Sequence, residues 1–257
     1  MPWIRNNPLP EAGLLAKCCL EACLSFFYPE VCQHCGREHA TADEGYIGAQ
    51  CRTHVKFIQP PFCERCGLPY EGDLDRSFVC SNCHDLDLHF RQARSAVVAQ
   101  GMVLDLIHDY KYHRALWLEP FLARLLVNQA APLLSAQSWD MIVPVPLHPS
   151  KLAQREFNQA ERLARHLSRA TGLPLAAHAL RRIRDTHTQT HLNRADRQSN
   201  MRQSFVCPRS EPVQGRRCIV LDDVFTTGAT TNACAGALQE AGTAEICIWT
   251  LARGLIR

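Results

Sequence analysis

The chain has 257 residues, enough for one sizeable α/β domain and a small appendage. Its formal net charge of +3 is too slight to argue by itself for a nucleic-acid partner, so local clusters of cations must carry that argument. No secretory pattern is visible, so the chain is expected to be cytoplasmic, and its 14 cysteines then point to metal rather than to disulfides.

Leu14 to Tyr28 is apolar but carries Lys17 and Glu21, and it is too short to span a bilayer. Leu14, Leu15, Cys18, Cys19, Ala22, Cys23 and Phe26 fall near helical spacing, so residues 1–28 read as a helical segment that packs on the rest. Peripheral attachment at the inner membrane is the alternative for this segment.

Residues 29–88 form a cysteine-rich unit. Cys32-x-x-Cys35 is followed by Cys51-x-x-His54, and Cys63-x-x-Cys66 by Cys80-x-x-Cys83. Each half is a pair of knuckles separated by a loop of the length zinc ribbons use. Gly36 and Gly67 each follow a second cysteine, where the knuckle turn needs positive φ. The repeat predicts a double zinc ribbon with two structural Zn²⁺ sites, one of four thiolates and one completed by His54. All four positions of each site are filled by protein, which leaves no place for a catalytic water.

A polar stretch, Asp85 to Arg94, leads into a larger domain over 89–257. Ser95 to Ala99 reads as a strand, and a helix follows that ends near Lys111-Tyr112-His113. Leu116 to Leu134 is helical, with Pro120 in its first turn. Asp140 to Val143 is a short strand entering the stiff loop Pro144-Val145-Pro146-Leu147. One helix is expected from Ser150 to Thr171, carrying Lys151, Arg155 and Arg165. From Leu180 the chain turns basic: Arg181, Arg182, Arg184, Arg194, Arg197 and Arg202 stand against Asp185 and Asp196. Strands alternating with helices predict an α/β fold, a parallel sheet with helices on both faces.

The most informative stretch is 219–231, Ile-Val-Leu-Asp-Asp-Val-Phe-Thr-Thr-Gly-Ala-Thr-Thr. A buried strand ends in two carboxylates, Asp222 and Asp223, at the edge where open α/β sheets bind ligands. Adjacent carboxylates repel each other unless sugar hydroxyls or a hydrated Mg²⁺ neutralise them. Gly228 permits close backbone approach, and a helix from Thr230 to Ala241, capped by Gly242, turns its N-terminus toward an anion. The pattern suits a ligand with a ribose diol at one end and a phosphate at the other. A Walker P-loop is excluded, because no Lys stands between the Gly and the Ser/Thr. A final strand is expected over Ile246 to Leu251.

This segment resembles the phosphoribosyl pyrophosphate (PRPP) motif of type I phosphoribosyltransferases. The resemblance implies that Asp222 and Asp223 hold the ribose hydroxyls and that Thr226, Thr227, Gly228, Ala229 and Thr230 wrap the 5-phosphate. Purine-salvage members often carry Asp where Thr226 stands.

The whole chain resembles the ComF/GntX family. Beyond the paired cysteines, the matches are Leu106-Ile107-His108 with Lys111-Tyr112, Val143 to Leu147, Arg155-Glu156-Phe157-Asn158-Gln159-Ala160, and Arg184, Thr188, Gln189, Arg197, Asn200 and Phe205. The family usually has Gly in place of Glu156, and Cys-x-x-Cys where this chain has Cys51-x-x-His54 with no Cys at Gly48. The resemblance implies a pyrophosphate site at Pro144, Val145 and Pro146, with Lys111 and Arg155 as its cations. It also implies a hood carrying Arg184 and Arg197. It further implies Mg²⁺ with PRPP, single-stranded DNA as a partner, and association with other DNA-uptake or recombination proteins. An active phosphoribosyltransferase with an unnamed acceptor and a PRPP-sensing regulator are the alternatives.

Overall fold

A computed structural model describes residues 30–70, 72, 77–84, 86–184 and 204–255. The N-terminal helical segment and Arg197 lie outside the described residues.

The apolar runs at Gln92–Val98 (β1), Met141–Pro144 (β2), Arg217–Phe225 (β5) and Glu245–Arg253 (β6) pair as a parallel sheet in the order β1-β6-β5-β2. Parallel strands need both faces covered, and the side chains alternate accordingly. On β5, Ile219 and Leu221 enter one core while Cys218 and Val220 enter the other. On β6, Trp249 and Leu251 face the first core while Ile246 and Ile248 face the second. The expected fold class is therefore the observed one.

The first core is completed by three helices, Gly101–Tyr112 (α1), Glu119–Ser135 (α2) and Gln159–Thr171 (α4). Leu122, Leu126, Leu163 and Leu167 are wholly buried where α2 and α4 meet. Each such side chain contributes about 1.5–3 kcal/mol by leaving water. The opposite face is covered by Ala229–Glu240 (α5), whose small residues Ala233, Ala235 and Ala237 let the helix lie close to the strands.

The single helix expected over 150–171 is two: Pro149–Arg155 (α3) and α4. Glu156 stops the first in a left-handed conformation at φ 68°, and Asn158 starts the second by accepting the Ala160 amide at 3.0 Å. Two short strands flank the basic stretch, Arg181–Arg182 (β3) and Phe205–Val206 (β4), paired antiparallel. They carry only two residues each, too few for sequence periodicity to show.

A buried carboxylate fixes α1 against the other helices. Glu119 on α2 accepts from the Tyr110 hydroxyl at 2.8 Å, meets His166 at 2.9 Å, and pairs with Arg162. Burial opposes its charge, but the His166, Arg162 and Tyr110 donors win and hold its carboxyl down at about 2. Tyr110 is thereby anchored, and the next residue on α1 is Lys111.

The cysteine-rich unit sits on the β1 edge of the sheet. Phe57 bridges to Val97, and the Ala93 amide donates to Arg65. Its first cysteine group joins the core under α2, and its second joins the core under α5.

Candidate functional site

The acidic pair lies within β5 rather than beyond its end. The strand continues to Phe225 because β6 keeps pairing with it, as far as Phe225 opposite Arg253. On the other side β2 stops: Pro144 is opposite Leu221, and Val145 makes the last bond, to the Leu221 carbonyl at 2.9 Å. The chain swings away there and leaves a crevice beside Asp222 and Asp223. The two carboxylates are 9 % and 4 % exposed.

This crevice is a cavity of about 380 Å³. It is lined by Lys111, Val145, Pro146, Arg155, Asp222, Asp223, Thr226 and Thr230, all named from sequence. Thr227, Gly228 and Ala229 form the loop and the start of α5 at its edge. Pro144 lies in β2, and Arg184 is exposed, its carbonyl accepting from Arg182 Nε at 3.3 Å. Neither lines the cavity. Arg182, Tyr112 and Gln159, not among the residues expected at this ligand site, also line it. Arg182 arrives through the unforeseen β3, and Gln159 through the unforeseen break before α4.

The acidic pair faces the cations Lys111, Lys151, Arg155 and Arg182 in the crevice. Lys111 pairs with Asp223. Burial depresses the Lys111 ammonium to about 8, with Asp222 pulling the other way. Burial also raises the Asp222 carboxyl to about 6, against the pull of Lys111, Arg182 and Arg155. Arg155 stacks on the Tyr112 ring at 4.8 Å. Glu156 pairs with Arg114 at 2.9 Å, so its charge is matched there. A second, adjoining cavity of about 410 Å³ is lined by Lys111, Tyr112, Arg114, Ser150, Lys151, Gln154 and Arg155.

Gly228 caps α5 at φ 79°, a conformation that favours glycine. A Cβ there would lie 2.4 Å from the Phe225 ring. The loop backbone is held from below by Arg253, which is 1 % exposed. Its guanidinium donates to the carbonyls of Phe225 at 3.1 Å and Thr226 at 2.6 Å. The same group reaches the Cys66 carbonyl at 3.3 Å and the Cys66 sulfur at 3.6 Å. Sequence gave no signal for Arg253, a lone arginine closing an apolar strand.

The cysteines gather into two groups whose donor atoms lie within 4.8 Å of one another: Cys63, Cys66, Cys80 and Cys83, and Cys32, Cys35 and Cys51 with Glu38. Cys66 and Cys80 sulfurs are 3.7 Å apart, close to the ~3.8 Å edge of a tetrahedron built on ~2.3 Å Zn–S bonds. Burial alone would raise the Cys63 thiol, but the amides of Cys80, Cys66 and Arg65 outweigh it and bring it to about 7. Both groups therefore fit zinc ribbon sites. His54, expected to complete the first site, is not among the residues gathered there. The helical turn Ala49–Arg52 ends before it, its ring is exposed, and Glu38 stands in the cluster instead. His34, His39 and His84 also lie outside both groups, His39 meeting Glu30 at 2.9 Å. No helix among the described residues is long and apolar enough to cross a membrane.

Comparison with known proteins agrees with this architecture. A family model described as a double zinc ribbon domain matches residues 23–84. Competence protein F of Haemophilus influenzae is 30% identical over 235 residues, covering 88% of this chain and 98% of the relative. DNA utilization protein YhgH of Salmonella typhimurium is 32% identical over 231 residues, covering 88% and 98%. Competence protein ComFC of Bacillus subtilis is 26% identical over 214 residues, covering 79% and 82%. Glutamine PRPP amidotransferase from B. subtilis, solved with ADP and GMP, aligns at a TM-score of 0.34 and 23% identity over 49% of this chain and 24% of that one, too little to carry an argument. On the near full-length match to competence protein F and its relatives, the chain belongs to the ComF family.

Proposed function

We propose that this chain serves DNA uptake in natural transformation, binding Mg–PRPP in the β5 crevice and single-stranded DNA on its basic surface. The names of its relatives, competence proteins and DNA utilization proteins, support the first part.

One observation carries the PRPP reading: two buried carboxylates stand beside a glycine-capped helix N-terminus, with cations facing them across a cavity. A ribose diol would donate to Asp222 and Asp223 in place of the Lys111 ammonium. The loop from Thr226 to Thr230 and the α5 dipole favour a phosphate. Lys111, Arg155 and Arg182, with the turn after Pro144, would hold a pyrophosphate, and Mg²⁺ would offset its negative charge. These groups bind and position; no carboxylate stands at Thr226 to take a proton from an acceptor.

A second reading, an active phosphoribosyltransferase, draws on the adjoining cavity with its Tyr112 and Arg155 stack, which has room for an acceptor base. Pyrophosphate release from Mg–PRPP with a panel of bases separates the two. A binding protein releases none above the rate without protein, and turnover with any base establishes the enzyme. For DNA, affinity for an oligo-dT should fall with salt, with a log–log slope of about 0.7 per phosphate contacted. Affinity indifferent to salt removes the DNA part.

A further inference from the structure

We propose that Glu38 is the fourth ligand of the first zinc site, standing in for a thiolate that residue 48 lacks. The position is Gly48, the place that Cys80 holds in the second half of the ribbon, since each lies three residues before the last thiol of its group.

Three observations converge. Glu38 already belongs to the cluster of Cys32, Cys35 and Cys51, with its Oε1 3.6 Å from the Cys35 sulfur. It also occupies the missing side chain's space: a Cβ built on Gly48 would lie 2.6 Å from the Cβ, Cδ and Oε2 of Glu38. Glycine at 48 and the carboxylate of 38 are thus complementary, and one excludes a side chain on the other.

The third observation is the hydrogen bonding. The amides of Gln50 and Cys51, in the turn that starts at residue 48, both donate to Glu38, Gln50 to Oε2 at 2.7 Å and Cys51 to Oε1 at 3.2 Å. These bonds hold the carboxylate at the cluster, on the turn where a thiolate at 48 would have stood. Two oxygens have about four acceptor sites, so these bonds leave room for a metal.

Carboxylate oxygen bonds Zn²⁺ at about 2.0–2.2 Å and makes a harder ligand than sulfur. The first site, three sulfurs and one oxygen, should then hold metal less tightly than the four-sulfur site.

X-ray absorption at the zinc edge of the full-length protein, with metal content by mass spectrometry, tests this. Two zinc ions per chain should share seven sulfurs and one oxygen, without the outer-shell scattering of imidazole. Glu38→Ala should release one zinc to a chelator at least about tenfold more readily, while His54→Ala matches wild type. Should Glu38→Ala fail to fold, the Glu38→Gly, Gly48→Cys double variant should restore two tightly held ions, now with eight sulfurs. An imidazole signal in the wild type, or zinc retention by Glu38→Ala equal to wild type, overturns the assignment.

Discussion

The ammonium of Lys111 on α1 meets the carboxylate of Asp223 on β5 across the crevice, with side-chain exposures of 17% and 6%. Removing one member of such a pair leaves a charge buried without its partner, which costs more than the pair itself contributes. Lys111→Met should lower stability by ~3 kcal/mol in urea denaturation, near the lower end for buried pairs. The double variant Lys111→Met, Asp223→Asn should recover most of that loss, because neither charge remains. A double variant as unstable as the single one would show that Lys111 acts through packing alone.

Asp222 predicts a pH dependence. Burial raises its carboxyl from 3.8 to about 6. Because the folded value is the higher one, its stabilising contribution is full below pH 3.8 and is lost as pH rises through about 6. At pH 7 the folded protein carries a poorly solvated carboxylate, so Asp222→Asn should be more stable there, on the order of 2 kcal/mol. That advantage should vanish by about pH 4, within the window set by these values. Chemical denaturation of both proteins across the range checks the sign. Such a stabilising change at a ligand site would mark Asp222 as kept for binding rather than for folding.

Gly228→Ala should strike the loop that leads into α5. The backbone conformation at φ 79° and the Phe225 ring at 2.4 Å both oppose a methyl group. A loss of about 1–3 kcal/mol in thermal or urea unfolding is expected. Tolerance of Ala without a change in melting temperature would mean that the loop adopts another course.

Arg253 joins the Cys66 knuckle to the loop of Phe225 and Thr226. Zinc binding and the crevice should therefore be coupled. Stripping zinc with a chelator should speed amide hydrogen exchange across 225–231, and Arg253→Lys should do the same with zinc in place. Lysine offers no planar fork to bond both partners at once. Exchange at 225–231 unchanged by zinc removal would show the ribbon and the loop to be independent.

What could be read from sequence follows from how local each signal is. Asp222, Asp223 and Gly228 sit within seven consecutive residues, and the paired cysteines repeat at fixed spacing, so both were legible. The sheet showed itself as apolar runs alternating with helices. The break at Glu156 was hidden, because a non-glycine residue takes the left-handed conformation there. Arg253 and Glu38 were hidden for another reason: each acts through partners that only the folded chain brings near. His54 has the expected spacing, but the helical turn ends at Arg52 and its ring lies outside the cysteine group.

The central claim is that the β5 crevice holds Mg–PRPP through its acidic pair. Isothermal titration calorimetry of the zinc-loaded protein with Mg–PRPP tests it most directly. Wild type should bind saturably at one site, and Asp223→Asn should bind at least about tenfold more weakly, the equivalent of one charge-assisted hydrogen bond. No binding by wild type at millimolar PRPP, or equal binding by Asp223→Asn, would contradict it.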